Sequence, residues 1–311
     1  MISKRVNFQQ FVFLLLLSTA FSLTVFAQRT PNLPPSERLK EAEKYYKIAK
    51  ACAETDLDCQ IDNYTTALKF NPKYENAYFN RAATYDEKGR QDLAIRDYTK
   101  VIELNSNEAD AYNNRGLIYK DRGKYWLAIF DFTKALNIKK DADIYYNRAL
   151  AYEGTREWRI ALNDYTRSIE LNRTNADVYI NRAVLYEYFE EYDKMLADTL
   201  RAIELAPENY MPYFNRGLYY KKIYEFELAI KDFDKAVELA PQEPGPWYNR
   251  GVSYTSKADH ARAVKDFTKA IELNPTVADY YRNRAETYDK LNEPEKAEAD
   301  RRKLTELENK K

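Results

Sequence analysis

The triplet Asn-Arg-small occurs seven times in this chain, at Asn80-Arg81-Ala82, Asn114-Arg115-Gly116, Asn147-Arg148-Ala149, Asn181-Arg182-Ala183, Asn215-Arg216-Gly217, Asn249-Arg250-Gly251 and Asn283-Arg284-Ala285. Two kinds of chemistry are open to it. A guanidinium pairs bidentately with a carboxylate, and each arginine is followed at one constant offset by an aspartate: Asp97, Asp131, Asp164, Asp198, Asp232, Asp266 and Asp300. Because a buried charge needs a partner, these couples read as interhelical ion pairs. The asparagines suit a different task, since a carboxamide carries donors and an acceptor that match the N–H and C=O of an extended peptide backbone.

Catalytic chemistry has little to build on. His260 is the single histidine, the 7 glycines form no phosphate-binding loop, and no cofactor motif is present. A metal site lacks ligands, because zinc needs three or four and Cys52 and Cys59 lie far along the chain from His260. The two cysteines suit a disulfide in an oxidising compartment, joining the end of one helix to the start of the next. No catalytic residue, metal or cofactor is expected.

Lys plus Arg equals Asp plus Glu at 49 each, which leaves no basic excess to draw the chain onto nucleic acid. Residues 1–27 begin with Lys4 and Arg5, continue through the apolar run Phe11 to Leu17 and end at Val25-Phe26-Ala27, the pattern of a cleavable export signal. Its loss would remove two basic residues and no acidic one, leaving a slight acidic excess. An uncleaved membrane anchor is the alternative, because the stretch from Phe11 to Ala27 reaches the lower limit of length for spanning a bilayer. Residues 28–36, with Pro31, Pro34 and Pro35, are expected to form an extended linker.

The elements that must position the triplets follow from their spacing, a period of about 34 residues in which a single step is one shorter than the rest. Extending the frame upstream gives eight repeats: 41–74, 75–108, 109–141, 142–175, 176–209, 210–243, 244–277 and 278–311. Large apolar or small residues recur at positions 4, 8 and 11 and again at 20, 24 and 27, two helical stripes per repeat. Turn signals such as Asn71-Pro72, Ala206-Pro207, Ala240-Pro241 and Asn274-Pro275 close the repeats. In the fifth repeat Met195 and Thr199 replace the small residue at 20 and the aromatic at 24, so Met195 is expected to fill the volume that Thr199 leaves.

This period and its residues (aromatic at 4, small at 8, Tyr at 11, Ala at 20, aromatic at 24, Pro at 32) resemble the tetratricopeptide repeat family, over the whole of residues 37–311. The resemblance implies an all-α fold, a right-handed superhelical solenoid of helix-turn-helix repeats. The family's usual Leu at position 7 is absent. Arg stands there, roughly 50° from the centre of the packing stripe, and the paired Asp at position 23 holds the same angle on the second helix. The first repeat has Lys47 and Asn63 at these positions, as expected of a divergent terminal cap.

Positions 2, 5, 6, 9, 12 and 13 lie opposite the packing stripe, on the face that lines a concave channel in the resembling family. The asparagines occupy position 6, with Phe79, Tyr146, Phe214 and Tyr248 at position 5, so these eleven residues are the expected ligand groove. O-linked N-acetylglucosamine transferase is similar in lining such a face with asparagines. Carboxylate-clamp repeats, which place Lys or Arg at positions 2, 5 or 6, are matched only by Arg282. The expected function is therefore a non-catalytic scaffold of the cell envelope, periplasmic or secreted, holding an extended protein segment. The alternative is an accessory component of an exopolysaccharide or envelope secretion assembly, acting through convex-face or end-to-end contacts. Self-association is compatible with either, and membrane contact is expected only if the N-terminal segment is retained.

Overall fold

The computed structural model describes residues 33–309, so the expected export signal lies outside the described residues, as do Lys310, Lys311 and most of the expected linker. The linker's last two residues are helical, because Pro35 supplies the pre-set φ of a first helical position and opens α1. Sixteen helices follow in pairs among the described residues. They are α1 Pro35–Ala51, α2 Leu57–Phe70, α3 Glu75–Glu87, α4 Gln91–Leu104, α5 Ala109–Asp121, α6 Tyr125–Ile138, α7 Ala142–Gly154, α8 Trp158–Leu171, α9 Ala176–Tyr188, α10 Tyr192–Leu205, α11 Tyr210–Lys222, α12 Phe226–Leu239, α13 Pro244–Ser256, α14 His260–Leu273, α15 Ala278–Lys290 and α16 Pro294–Glu308. No described helix is long and apolar enough to cross a membrane. The chain divides into an N-terminal body ending at Thr155 and a C-terminal body beginning at Arg156.

The two predicted stripes form the core of each helix pair. In the second repeat Ala82, Tyr85, Ala94, Tyr98 and Val101 are buried together, and Tyr78 packs against them. A further stripe was not legible in the sequence. Positions 3 and 10 of the following repeat, Ala111 and Ile118, join the same cluster and so tie α5 to the preceding pair. In the C-terminal body the corresponding Val178, Leu185, Ser253 and Thr287 are all buried. They mix small residues, Ala111, Ser253 and Thr287, with the branched aliphatics Ile118, Val178 and Leu185, packed densely between consecutive helices.

Turns are built from local bonds. Five of the second helices end in an extended residue, and in the four where that residue is Asn its side chain accepts from the backbone N–H two residues on: Asn71 from Lys73, Asn105 from Asn107, Asn172 from Thr174 and Asn274 from Thr276. Inside the second and third repeats the turn between helices passes through Gly89 and Gly123 at positive φ. In the first pair a disulfide joins Cys52, which caps α1, to Cys59 in the first turn of α2, with Cα atoms 6.0 Å apart.

In the fifth repeat Met195 is buried, packs with Ala183 and Tyr186, and receives the Thr199 hydroxyl on its sulfur at 3.5 Å. The flexible thioether occupies the space an aromatic ring takes elsewhere.

Candidate functional site

The arginines sit at the centre of each repeat. Arg81, Arg115, Arg182, Arg216, Arg250 and Arg284 each donate two N–H bonds to the paired aspartate on the second helix, at 2.6–3.0 Å. The aspartates Asp97, Asp131, Asp198, Asp232, Asp266 and Asp300 are buried. Arg148 and Asp164, the seventh couple, belong to different bodies. Burial pushes the Asp131, Asp198 and Asp266 carboxyls above their ordinary range, and the facing guanidinium in each case pulls them back. Such a pair fixes geometry more than it adds stability.

Two further supports of the arginine escaped the sequence reading. Aromatic rings at positions 4 and 11 sandwich it one helical turn away on either side, as Tyr112 and Tyr119 do for Arg115 at 5.8 and 5.9 Å, except at Arg216, where Tyr213 alone lies over the guanidinium, at 6.0 Å. Its remaining amino group reaches position 25 of the preceding repeat: Thr65 for Arg81, Thr99 for Arg115, Thr133 for Arg148, Thr166 for Arg182 and Thr268 for Arg284. The arginine therefore ties two helices of its own repeat to the repeat before it. Arg250 uses Asp234 in the same way, whereas before Arg216 the position is Leu200, which has no group to accept.

The asparagines divide into three kinds. Asn80, Asn114 and Asn283 donate to tyrosine hydroxyls, those of Tyr46 at 2.9 Å, Tyr98 at 3.3 Å and Tyr248 at 2.7 Å, and Asn147 donates to the Asn113 carbonyl oxygen at 3.2 Å. All four are partly exposed. Asn181 is also partly exposed and is engaged. Asn215 and Asn249 depart from the expected open groove, because both are buried. Asn249 accepts from Lys221 and donates to the Gly245 carbonyl at 3.0 Å, while the Asn215 amide nitrogen is buried without a hydrogen-bond partner among the described residues.

Position 24 of the preceding repeat explains part of this. Where it is Tyr98, the ring packs over Ala82 and its hydroxyl meets Asn114. Burial pushes that hydroxyl up to about 12, so it stays neutral. Where it is Phe132, Phe233 or Phe267, the ring lies against Gly116, Gly217 or Gly251, at 2.6–2.8 Å from where a Cβ would stand. Before Asn215 it is Thr199, already bonded to Met195. No aromatic hydroxyl is offered.

The position-5 aromatics are only half-buried and pack on the second helix of their own repeat: Phe79 on Tyr98 at 5.5 Å, Phe214 on Phe233 at 5.9 Å and Tyr248 on Phe267 at 5.9 Å. Tyr146 is likewise half-buried. In the N-terminal body a cavity of about 390 Å³ opens beside Tyr46, Lys50, Gln60, Asn80, Thr84 and Glu87. In the C-terminal body the groove face holds Glu187 and Lys221, where burial raises the carboxyl and lowers the ammonium from their ordinary values. Among the described residues no group of three His, Cys, Asp or Glu is placed to hold a metal.

Models of the tetratricopeptide repeat match residues 63–96, 109–141, 176–209, 212–243, 246–277 and 267–299, and a TPR repeat model matches 84–121, together well over half of the chain. Among solved structures, the C-terminal part of a TPR repeat-containing protein from Cytophaga hutchinsonii is 19% identical with a TM-score of 0.62, covering 78% of this chain and 99% of that one. PilF of Pseudomonas aeruginosa is 21% identical with a TM-score of 0.58, covering 64% and 91%. A tetratricopeptide repeat protein from Parabacteroides merdae is 18% identical with a TM-score of 0.58, covering 80% and 99%. At these identities the likeness is one of fold. No curated protein matches the chain. The repeat models and the paired helices together make this chain a member of the tetratricopeptide repeat family.

Proposed function

We propose that the protein is a non-catalytic scaffold that holds an extended segment of a partner protein against the first helices of its repeats, in the cell envelope. The observation that carries this reading is the state of the amides in the N-terminal body. Asn80, bonded to the Tyr46 and Tyr64 hydroxyls, and Asn147, bonded to Asn113, spend their N–H groups on neighbouring helices and keep the carbonyl oxygen without a partner among the described residues, and Asn80 does so at the rim of a cavity that also presents Gln60 and Thr84. Two acceptors held rigidly by their own N–H bonds, on either side of Asn114, whose carbonyl oxygen accepts from Asn113, suit the N–H groups of an extended backbone. Envelope placement rests on the Cys52–Cys59 disulfide, which belongs in an oxidising compartment, and on the export pattern of residues 1–27.

A photo-crosslinking residue at Ala83, which lines the cavity, tests the reading in native envelopes. A captured protein that disappears with Asn80→Ala and Asn147→Ala, while stability falls by no more than about 2 kcal/mol, about one for each hydrogen bond removed, supports it. Capture unaffected by those changes would overturn it.

A further inference from the structure

The second helix of the third repeat, α6, departs from its seven counterparts on the outward side. Trp126 and Phe130 are 63% and 56% exposed, beside Leu127 and Ile138, whose positions are apolar and exposed in the fourth repeat too, as Ile160 and Leu171. Trp126 and Phe130 hold positions 18 and 22, which are Asp92 and Arg96 in the second repeat and Glu227 and Lys231 in the sixth. The fold therefore does not require aromatic rings there.

A second departure lies on the same face. Six repeats carry an ion pair between positions 26 and 29, as in Lys100–Glu103 at 2.9 Å and Lys235–Glu238 at 2.8 Å. The third repeat has Lys134 and Asn137, and the Lys134 ammonium lies over the Phe130 ring at 5.4 Å. Lys124, Lys134 and Lys140, at the start, middle and end of the helix, are exposed and form no ion pair among the described residues. The helix's own carboxylate, Asp131, is buried on Arg115. Apolar rings have been added and carboxylates removed together.

We propose that this face of α6 docks on an anionic lipid bilayer, with the rings in the headgroup layer and the lysines on lipid phosphates. Exposed aromatic and aliphatic side chains flanked by lysine stems are the composition of a helix that lies in the membrane interface. The charge complementarity selects this occupant. A second copy would set lysine against lysine, and a protein partner would need a carboxylate placed opposite each of three separated lysines, whereas an anionic surface offers phosphate everywhere.

The test uses the full chain with Trp158→Phe and Trp247→Phe, so that Trp126 is the sole tryptophan, none occurring in residues 1–32. Its emission then reports on α6 even where the apolar N-terminal segment itself touches lipid. Vesicles of three parts phosphatidylcholine to one part phosphatidylglycerol should shift the emission to the blue and, with brominated chains, quench it. Pure phosphatidylcholine should do neither. Lys124→Ser, Lys134→Ser and Lys140→Ser together should weaken the anionic response by roughly a hundredfold. An unmoved Trp126 on vesicles that still carry the protein overturns the proposal. So does a shift produced by rising protein concentration alone, which marks a second copy, or one produced by polyglutamate and not by vesicles, which marks an acidic protein. Should the tryptophan changes impair folding, Phe130→Cys carrying an environment-sensitive dye gives the same readout, the native cysteines being joined in the disulfide.

Discussion

Corresponding repeat junctions in the two bodies are held by different means. Between the second and third repeats, Asn114 donates to Tyr98 and Arg115 donates to Thr99, two neighbouring residues on one helix answering two neighbouring residues on the next. Between the fifth and sixth repeats the same four positions hold Asn215, Arg216, Thr199 and Leu200. Neither bond forms: the Asn215 nitrogen is buried unpaired and Leu200 is half exposed. A repeat protein is stabilised by its repeats and by each interface between neighbours, so two lost bonds at one interface weaken that joint without disturbing the repeats themselves. The difference teaches that Asn114-Arg115 is a key with a lock, Tyr98-Thr99 at positions 24 and 25, which Thr199-Leu200 does not reproduce.

The largest expected effect tests what both junctions share. Arg115→Ala or Asp131→Ala should each destabilise by about 3 kcal/mol, because each leaves a buried charge alone, and the double variant should cost far less than the sum. Urea unfolding of the four proteins measures this. In the C-terminal body Arg216→Ala should cost about 1 kcal/mol less than Arg115→Ala, since it has no threonine bond to lose. Equal losses would mean that the threonine contributes nothing and that the comparison fails at this point.

Rebuilding the lock is the converse. Thr199→Tyr alone should cost about 1–3 kcal/mol, since Met195 already fills the ring's place. Combined with Met195→Ala, which restores the pattern of the second repeat, it should raise stability above the native protein by about 1 kcal/mol as the Asn215 nitrogen gains a hydroxyl. A structure of that double variant with Asn215 still unpaired would separate the packing from the bond. On the other side of the bond, Asn114→Ala should cost about 1 kcal/mol, whereas Asn215→Ala should be neutral or slightly stabilising, because it removes a donor that has no partner and replaces a mediocre helix former by the best one. Thermal midpoints of the two single variants decide it.

These contrasts mark how far the sequence could be read. The helix pairs were legible because one fixed period repeats the same apolar positions, and a constant offset from Arg to Asp sets both on facing helices. Positions 3 and 10 escaped because Ala111, Thr84 and Ser253 are residues that suit a surface as readily as a tight interface. The aromatic sandwich of the arginine was present in the spacing, as a tyrosine or, before Arg250, Trp247 three residues ahead and a tyrosine four after. The fate of each asparagine was not legible from its own repeat, since it depends on whether the previous repeat offers a hydroxyl, a phenyl ring or Thr199. Nor did the triplet's constancy distinguish Asn80, at the rim of a cavity, from Asn215, sealed beneath its neighbours.

The smallest expected effect concerns the turn between the two helices of a repeat, where the bodies differ again. Position 15 lies in the left-handed region in both, as Gly89 and Gly123 at φ 73° and 68° in the N-terminal body, and as Glu190, Tyr224, Ala258 and Asn292 at 60°, 63°, 59° and 57° in the C-terminal one. The bonding is the same. Gly123 donates to Lys120 at 2.9 Å and Lys124 to Tyr119 at 2.8 Å, as Ala258 donates to Thr255 and Asp259 to Tyr254, both at 2.9 Å. Left-handed backbone costs an L-residue roughly 1–2 kcal/mol, and glycine avoids this at an entropic cost of roughly 0.5–1 kcal/mol. Ala258→Gly should therefore stabilise by about 0.5 kcal/mol, and Gly123→Ala should destabilise by a similar amount, its added Cβ meeting nothing within 4 Å so that only the backbone conformation is charged. Calorimetry of the two variants reads the pair of opposite shifts. A loss at both positions would show that the C-terminal turns are held by their neighbours rather than strained, and that the two bodies differ at the junctions alone.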